Sequence, residues 1–288
     1  MSYIFPKREN AHPSHYILTL VITISAYVLI GQIPLFVAYT MAENQTLNPI
    51  QTLQDNYGLN VTFVLIMIPL VAAFFGLFAS VKFIHRWEFV SVFTGRSAID
   101  FKRVSLAFLL WFGISFLIFC YGFNDQVHWN LNLSKFIPLV ILSILIIPIQ
   151  CAAEELFFRG YLMQWLGVKI SKVWIIVLIS GALFGLLHAA NPEVIQLGNS
   201  ALIYYVWSGF FLGILAVYDD GLELPLGYHI ANNLFAALIV TTDWQAFRTD
   251  ALFVDKNPPS FTLEMMVLLL IGQAFFFLVI QKVFKKKR

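Results

Sequence analysis

The chain has 288 residues, of which 59% are hydrophobic, 16% aromatic and 12% charged, and its formal net charge is +2. Soluble domains are roughly 45–50% apolar and about 25% charged, so the composition excludes a water-facing globule. It also excludes a disordered chain and a nucleic-acid binder with a basic surface. Cys120 and Cys151 both lie in apolar runs, make no disulfide framework and read as buried packing residues.

A membrane-spanning helix needs roughly 20 mostly apolar residues. Eight runs answer to that in chain order, near 16–39, 60–81, 104–123, 136–167, 173–190, 200–217, 222–241 and 262–281. They are too long and too continuously apolar for barrel strands, which need only about 10 alternating residues. The first run exceeds the roughly 7–15 residues of a cleaved signal core, so it is expected to stay as a helix. The last residues, Phe284-Lys285-Lys286-Lys287-Arg288, form no lipidation box.

Cytoplasmic loops carry the excess of Lys and Arg. With the amino terminus inside, the cytoplasmic set is Lys7, Arg8, Lys82, Arg86, Arg96, Lys102, Arg103, Arg159, Lys169, Lys172, Lys282, Lys285, Lys286, Lys287 and Arg288. Lys135, Arg248 and Lys256 fall outside. An odd number of spans would misplace one of the basic clusters, so both termini are expected to be cytoplasmic, in a multi-pass protein of the cell membrane. No repeat, low-complexity stretch or linker marks a second folded unit, and residues 1–288 read as a single membrane domain. The expected fold is an all-α polytopic bundle of about eight transmembrane helices.

Ionisable residues inside spans are costly and tend to mark function. They are Glu154, Glu155 and Arg159 in the fourth run, His188 near the end of the fifth, and His229 with Asn232 and Asn233 in the seventh. His12, His15, His85 and His128 fall in tails and loops and read as solvated. Adjacent helical positions point about 100° apart, so Glu154 and Glu155 must find different partners. Glu155 and Arg159 are spaced for an ion pair on one face, which leaves Glu154 over. A carboxylate in apolar surroundings is a competent general base if it can hold a water. Phe184 with His188, and His229 with Asn233, are likewise four apart and share a face. A lone buried histidine is more often a satisfied structural group; three polar clusters on three helices suggest a shared site. With a turn near residue 171, Glu154 and His188 are each 17 residues from it and should sit level. His229 is 8 residues past a turn near residue 221, so the hairpin of runs four and five must project further for the three to meet.

These residues resemble the CAAX prenyl protease and bacteriocin-processing family of intramembrane proteases, which includes the type II CAAX prenyl endopeptidases. The family pattern is Glu-Glu-x-x-x-Arg, then Phe-x-x-x-His, then His-x-x-x-Asn or Asp. Here it stands as Glu154, Glu155 and Arg159, then Phe184 and His188, then His229 and Asn233. The resemblance covers residues 134–241, the expected catalytic core, and implies an active site inside the bundle. It implies an endopeptidase acting on a membrane-associated peptide, of prenylated CAAX or leader type. The catalytic residues would be Glu154, Glu155, His188, His229 and Asn233. Glu154 would serve as general base, His188 would help hold the water, and His229 and Asn233 would donate to the oxyanion. Arg159 and Phe184 would give structural support.

Two chemistries stay open. Glu154, His188 and His229 would supply two imidazoles and a carboxylate to a divalent metal such as zinc, with an open position. Metal-free attack by a glutamate-activated water is favoured by the absence of HExxH. The competing readings are a non-catalytic peptide-binding or immunity scaffold and a transporter; no inverted repeat with matching broken helices supports the transporter. The expected partners are membrane lipid and the peptide substrate, with no nucleic acid and the oligomeric state open.

Overall fold

The computed structural model describes residues 3–6, 12–245 and 248–284. The terminal clusters Lys7, Arg8 and Lys285–Arg288, used in the charge tally, lie outside the described residues. Every apolar run is helical. In chain order the elements are α1 (Pro13–Met41), α2 (Pro49–Ile84), α3 (Phe89–Phe93), α4 (Phe101–Gly122), β1 (Val127–Trp129) and α5 (Leu133–Gly167). Then come α6 (Val173–Leu187), α7 (Pro192–Leu197), α8 (Asn199–Asp219), α9 (Glu223–Leu238), β2 (Val240–Thr241), β3 (Phe253–Asp255) and α10 (Leu263–Val283). The chain is an all-α polytopic membrane protein.

Six helices are long and apolar enough to cross a membrane: α1, α2, α4, α5, α8 and α10. The other two runs, α6 and α9, have 15 and 16 residues, about 22 and 24 Å of helix against a hydrocarbon layer of about 30 Å. The reason differs for each. α6 stops where His188 takes a turn conformation (φ −87°, ψ 0°) just before Asn191-Pro192. α9 is enclosed by protein: its buried residues run without a break from Glu223 to His229 and continue through Ala231, Leu234, Phe235 and Ala237. An enclosed helix need not match the lipid thickness, and it tolerates the buried Glu223 and His229 that would be costly against lipid.

The enclosure depends on small residues. A Cβ on Gly227 of α9 would overlap the Val104 carbonyl of α4, and a Cβ on Gly209 of α8 would overlap the Gly181 carbonyl of α6. Glycine at these positions lets backbones touch, which is how membrane helices gain packing without a hydrophobic drive between them.

A buried ionic clamp fixes where α9 begins. Arg96 reaches Asp219 and Glu223, both at 2.9 Å, and Arg103 reaches Asp219 at 2.6 Å; the two carboxylate side chains are fully buried. The Gly95 amide donates to the Asp220 carbonyl and the Leu222 amide to the Phe93 carbonyl, so the segment after α3 holds the α8–α9 turn by backbone as well. At the far end, β1, β3 and β2 form a small sheet in that order, β1 antiparallel and β2 parallel to β3. Strands of two or three residues carry no alternation pattern, so nothing in the sequence marks them.

Three readings of single residues are corrected. His85 is fully buried, not solvated: its Nε2 lies 3.1 Å from the Thr19 hydroxyl and 2.8 Å from that of Tyr161, with Trp87 against the ring. Cys120 is exposed on α4, whereas Cys151 is buried as expected. Arg159, placed in the fourth run but counted with the cytoplasmic cations, is fully buried within the bundle.

Removing Arg96 would strand Glu223 without a cation. Arg96→Met is expected to cost about 3 kcal/mol, read as a lower midpoint for thermal unfolding in detergent, while a lysine at the same position recovers part of it.

Candidate active site

The last α-helical turn of the first part of α5 carries Gln150, Cys151, Glu154 and Glu155, and the helix then widens into a π-helical segment over Leu156–Leu162. Such insertions recur at functional sites because they free backbone groups and re-aim side chains. Two of the carbonyls here are met from outside: Ser180 of α6 donates to Phe158 at 3.0 Å, and the Tyr3 hydroxyl lies 3.3 Å from the Arg159 carbonyl.

Arg159 turns back onto Glu155. Its Nη1 donates to Glu155 Oε1 at 2.9 Å, its Nη2 to the Gly209 carbonyl at 3.2 Å, and its guanidinium carbon lies 4.1 Å from the centre of the Phe184 ring. Both side chains are fully buried. A planar fork that also stacks on an aromatic face is a task lysine cannot perform. The same Glu155 oxygen is 2.8 Å from His229 Nδ1. A carboxylate oxygen accepts, so Nδ1 carries the hydrogen and Nε2 faces away from Glu155.

His229 Nε2 lies 3.6 Å from Glu154 Oε2, while Glu154 Oε1 accepts from Gln150 Nε2 at 2.8 Å. Glu154 Oε2 is buried, and among the described residues no donor reaches it within hydrogen-bond distance. Glu154, Glu155 and Arg159 together leave one formal negative charge.

Phe184 is the hinge of the second motif. Its ring meets Arg159, lies 6.1 Å from the His229 ring edge-on, and lies 4.7 Å from the ring of His188. His188 Nδ1 donates to the Phe184 carbonyl at 2.8 Å, which leaves Nε2 as the acceptor, and its ring stacks on Tyr205 at 4.5 Å. Asn233 Nδ2 donates to Gln150 Oε1 at 2.9 Å and approaches Cys151 Sγ at 3.6 Å; its Oδ1 accepts from Asn232.

Glu154, Glu155, Arg159, Phe184 and His229 therefore form one contact group, with Asn233 joined to it through Gln150 and His188 through Phe184. Because His229 reaches Glu155 despite its shorter distance from its turn, the α5–α6 hairpin does project beyond the α8–α9 turn. Among the described residues no hydrogen bond or ion pair joins His188 directly to Glu154. Nor does any group of three or more His, Cys, Asp or Glu come together in a way that could hold a metal ion. Glu154, His188 and His229 thus do not make a three-ligand set, and no step below runs through a metal. Sequence reasoning missed Gln150, Tyr205 and the Gly209 carbonyl. Gln150 had a signal, since it precedes Glu154 by four in an apolar run, but it is uncharged and was passed over. An aromatic among so many, or a backbone oxygen, gives none.

Arg159→Met would leave Glu155 buried without its cation, and the expected loss is about 3–5 kcal/mol, measured as thermal unfolding in detergent. Arg159→Lys should fall between, keeping the charge and losing the fork and the stacking on Phe184.

Comparison with known proteins agrees with this geometry. Residues 133–235 match the family model for type II CAAX prenyl endopeptidase Rce1-like proteins, a stretch that contains Glu154, Glu155, Arg159, Phe184, His188, His229 and Asn233. A Bacillus subtilis (strain 168) protein described as uncharacterized protein YyaK is 34% identical over 170 residues, 58% of this chain and 57% of that protein. The chain thus spans a little over half the length of this curated relative. No solved structure matches it. Over residues 133–235, the chain is similar to the Rce1-like type II CAAX prenyl endopeptidases.

Proposed function

We propose that the protein is an intramembrane endopeptidase that hydrolyses a peptide bond of a membrane-associated substrate, of prenylated CAAX or leader type, with a water activated by Glu154. The observation that carries this reading is the approach of Glu154 Oε2, buried and without a protein donor, to His229 Nε2 at 3.6 Å inside an apolar bundle. A water seated against both atoms loses a proton to Glu154 as its oxygen attacks the carbonyl carbon. The proton then passes to the leaving amine as the C–N bond breaks.

His188 presents Nε2 as an acceptor and helps hold that water. Protonated His229, with Nδ1 bound by Glu155, offers its Nε2–H to the oxyanion. Asn233 Nδ2 donates to Gln150 Oε1 and to Cys151 Sγ, and its turn to the same oxygen exchanges the weak sulfur acceptor for a charged one. Glu155 and Arg159 touch no substrate and set the aim of His229. The loops bearing Arg96, Lys102, Arg103, Lys169 and Lys172 belong to the cytoplasmic face, with the β1–β3–β2 sheet opposite, in a protein of the cell membrane with both termini inside. Residues 134–241 act as the catalytic core of a single membrane domain.

The test is cleavage of a prenylated CAAX-type reporter by purified protein in lipid, for wild type, Glu154→Ala and His188→Ala, each with and without chelator. Wild type should cleave, both substitutions should lower the rate by about 10²–10⁴-fold, and chelator should leave the wild-type rate unchanged. Variants as active as wild type would place the chemistry elsewhere. Loss of activity on chelation would replace the metal-free step.

A further inference from the structure

We infer that Gln150, which none of the three motifs includes, is a positioning residue that ties the proposed general base to the proposed oxyanion donor. This rests on the endopeptidase reading. Gln150 is 4% exposed and sits one turn before Glu154 on α5. Its two polar atoms are spent on two different site residues: Nε2 donates to Glu154 Oε1 at 2.8 Å, and Oε1 accepts from Asn233 Nδ2 at 2.9 Å. The Cys151 thiol also donates to Oε1, at 3.3 Å. The amide orientation is fixed by its neighbours, because a carboxylate can only accept and the Asn233 amide nitrogen can only donate.

The consequence is geometric. With Oε1 held by Gln150, the carboxylate of Glu154 has one oxygen left, Oε2, and that is the oxygen turned to His229. Asn233 Nδ2 donates to Gln150 Oε1 and more weakly to Cys151 Sγ, so the neighbouring pair on α5 sets the direction of its amide. Gln150 thereby couples α5 to α9 at the point where attack and oxyanion stabilisation must be in register, and displacements of about 1 Å there can cost about a hundredfold in rate. Gln150 is thus hydrogen-bonded to Glu154 and Asn233 at once.

The experiment is a double-mutant cycle on the full chain in lipid, with Gln150→Met, Asn233→Leu and the double variant, read by kcat, KM and thermal midpoint. Methionine keeps the length of the side chain and removes both hydrogen bonds. Gln150→Met should lower kcat by about 10–100-fold with KM within about twofold of wild type. In the Asn233→Leu background the same change should cost at least about threefold less, and the double variant should melt higher than the sum of the single losses requires. Unchanged kcat, or single losses that multiply, would overturn the proposal. If wild type cleaves no reporter, the endopeptidase reading is what fails. The melting cycle then still decides on the link, and additive midpoint losses overturn it.

Discussion

A carboxylate buried in a lipid-embedded bundle has to be compensated from nearby, and Glu155 meets that constraint with a single oxygen. Its Oε1 accepts from Arg159 Nη1 and from His229 Nδ1, two donors from α5 and α9. Without the guanidinium the carboxylate would face several kcal/mol of uncompensated desolvation; without the carboxylate the imidazole would have no fixed tautomer. The rest of the site follows from that junction. Arg159 is held against the Phe184 ring and the Gly209 carbonyl, so α6 and α8 are drawn to the same point. His229, once oriented, turns its second nitrogen toward Glu154. The ionic clamp of Arg96 and Arg103 on Asp219 and Glu223 acts at a distance to the same end, since it sets the start of α9 and hence the depth of His229.

Much of this was legible in the sequence. Hydropathy located the eight longer helices, though not α3 and α7, because lipid imposes a length and a polarity, and the expense of charge in lipid picked out Glu154, Glu155, Arg159, His188 and His229. What could not be read were features that depend on neighbours. The spans of α6 and α9 looked like the others because an apolar window does not say whether lipid or protein surrounds it. The sequence placed Arg159 in the fourth run but carried no sign that its side chain is fully buried, and His85 was read as solvated for the same reason. The π-helical segment over Leu156–Leu162 leaves no compositional mark, yet it is what gives the Arg159 carbonyl to Tyr3 and that of Phe158 to Ser180.

Gln150 shows the same limit from another side. Charge is a strong signal in a membrane chain and an amide is a weak one, although both ends of an amide can be committed at once. In the structure the uncharged side chains Gln150 and Asn233 form a link between α5 and α9 beside the one that the charged residues make. Here the selectivity of buried polar contacts, each needing a donor matched to an acceptor, adds specificity to packing that small and apolar residues leave permissive.

The shortness of α9 carries a consequence for biogenesis. Six helices can partition into the bilayer on their own merits, by length and apolar content. α9, with Glu223, His229, Asn232 and Asn233 in 16 residues, cannot wait in lipid as a free segment. It must be delivered between α8 and α10 and find α4 and α5 already beside it. Its enclosure is thus a matter of timing as well as of packing: the helix that carries His229 and Asn233 needs an apolar frame beside it before its polar groups can leave water.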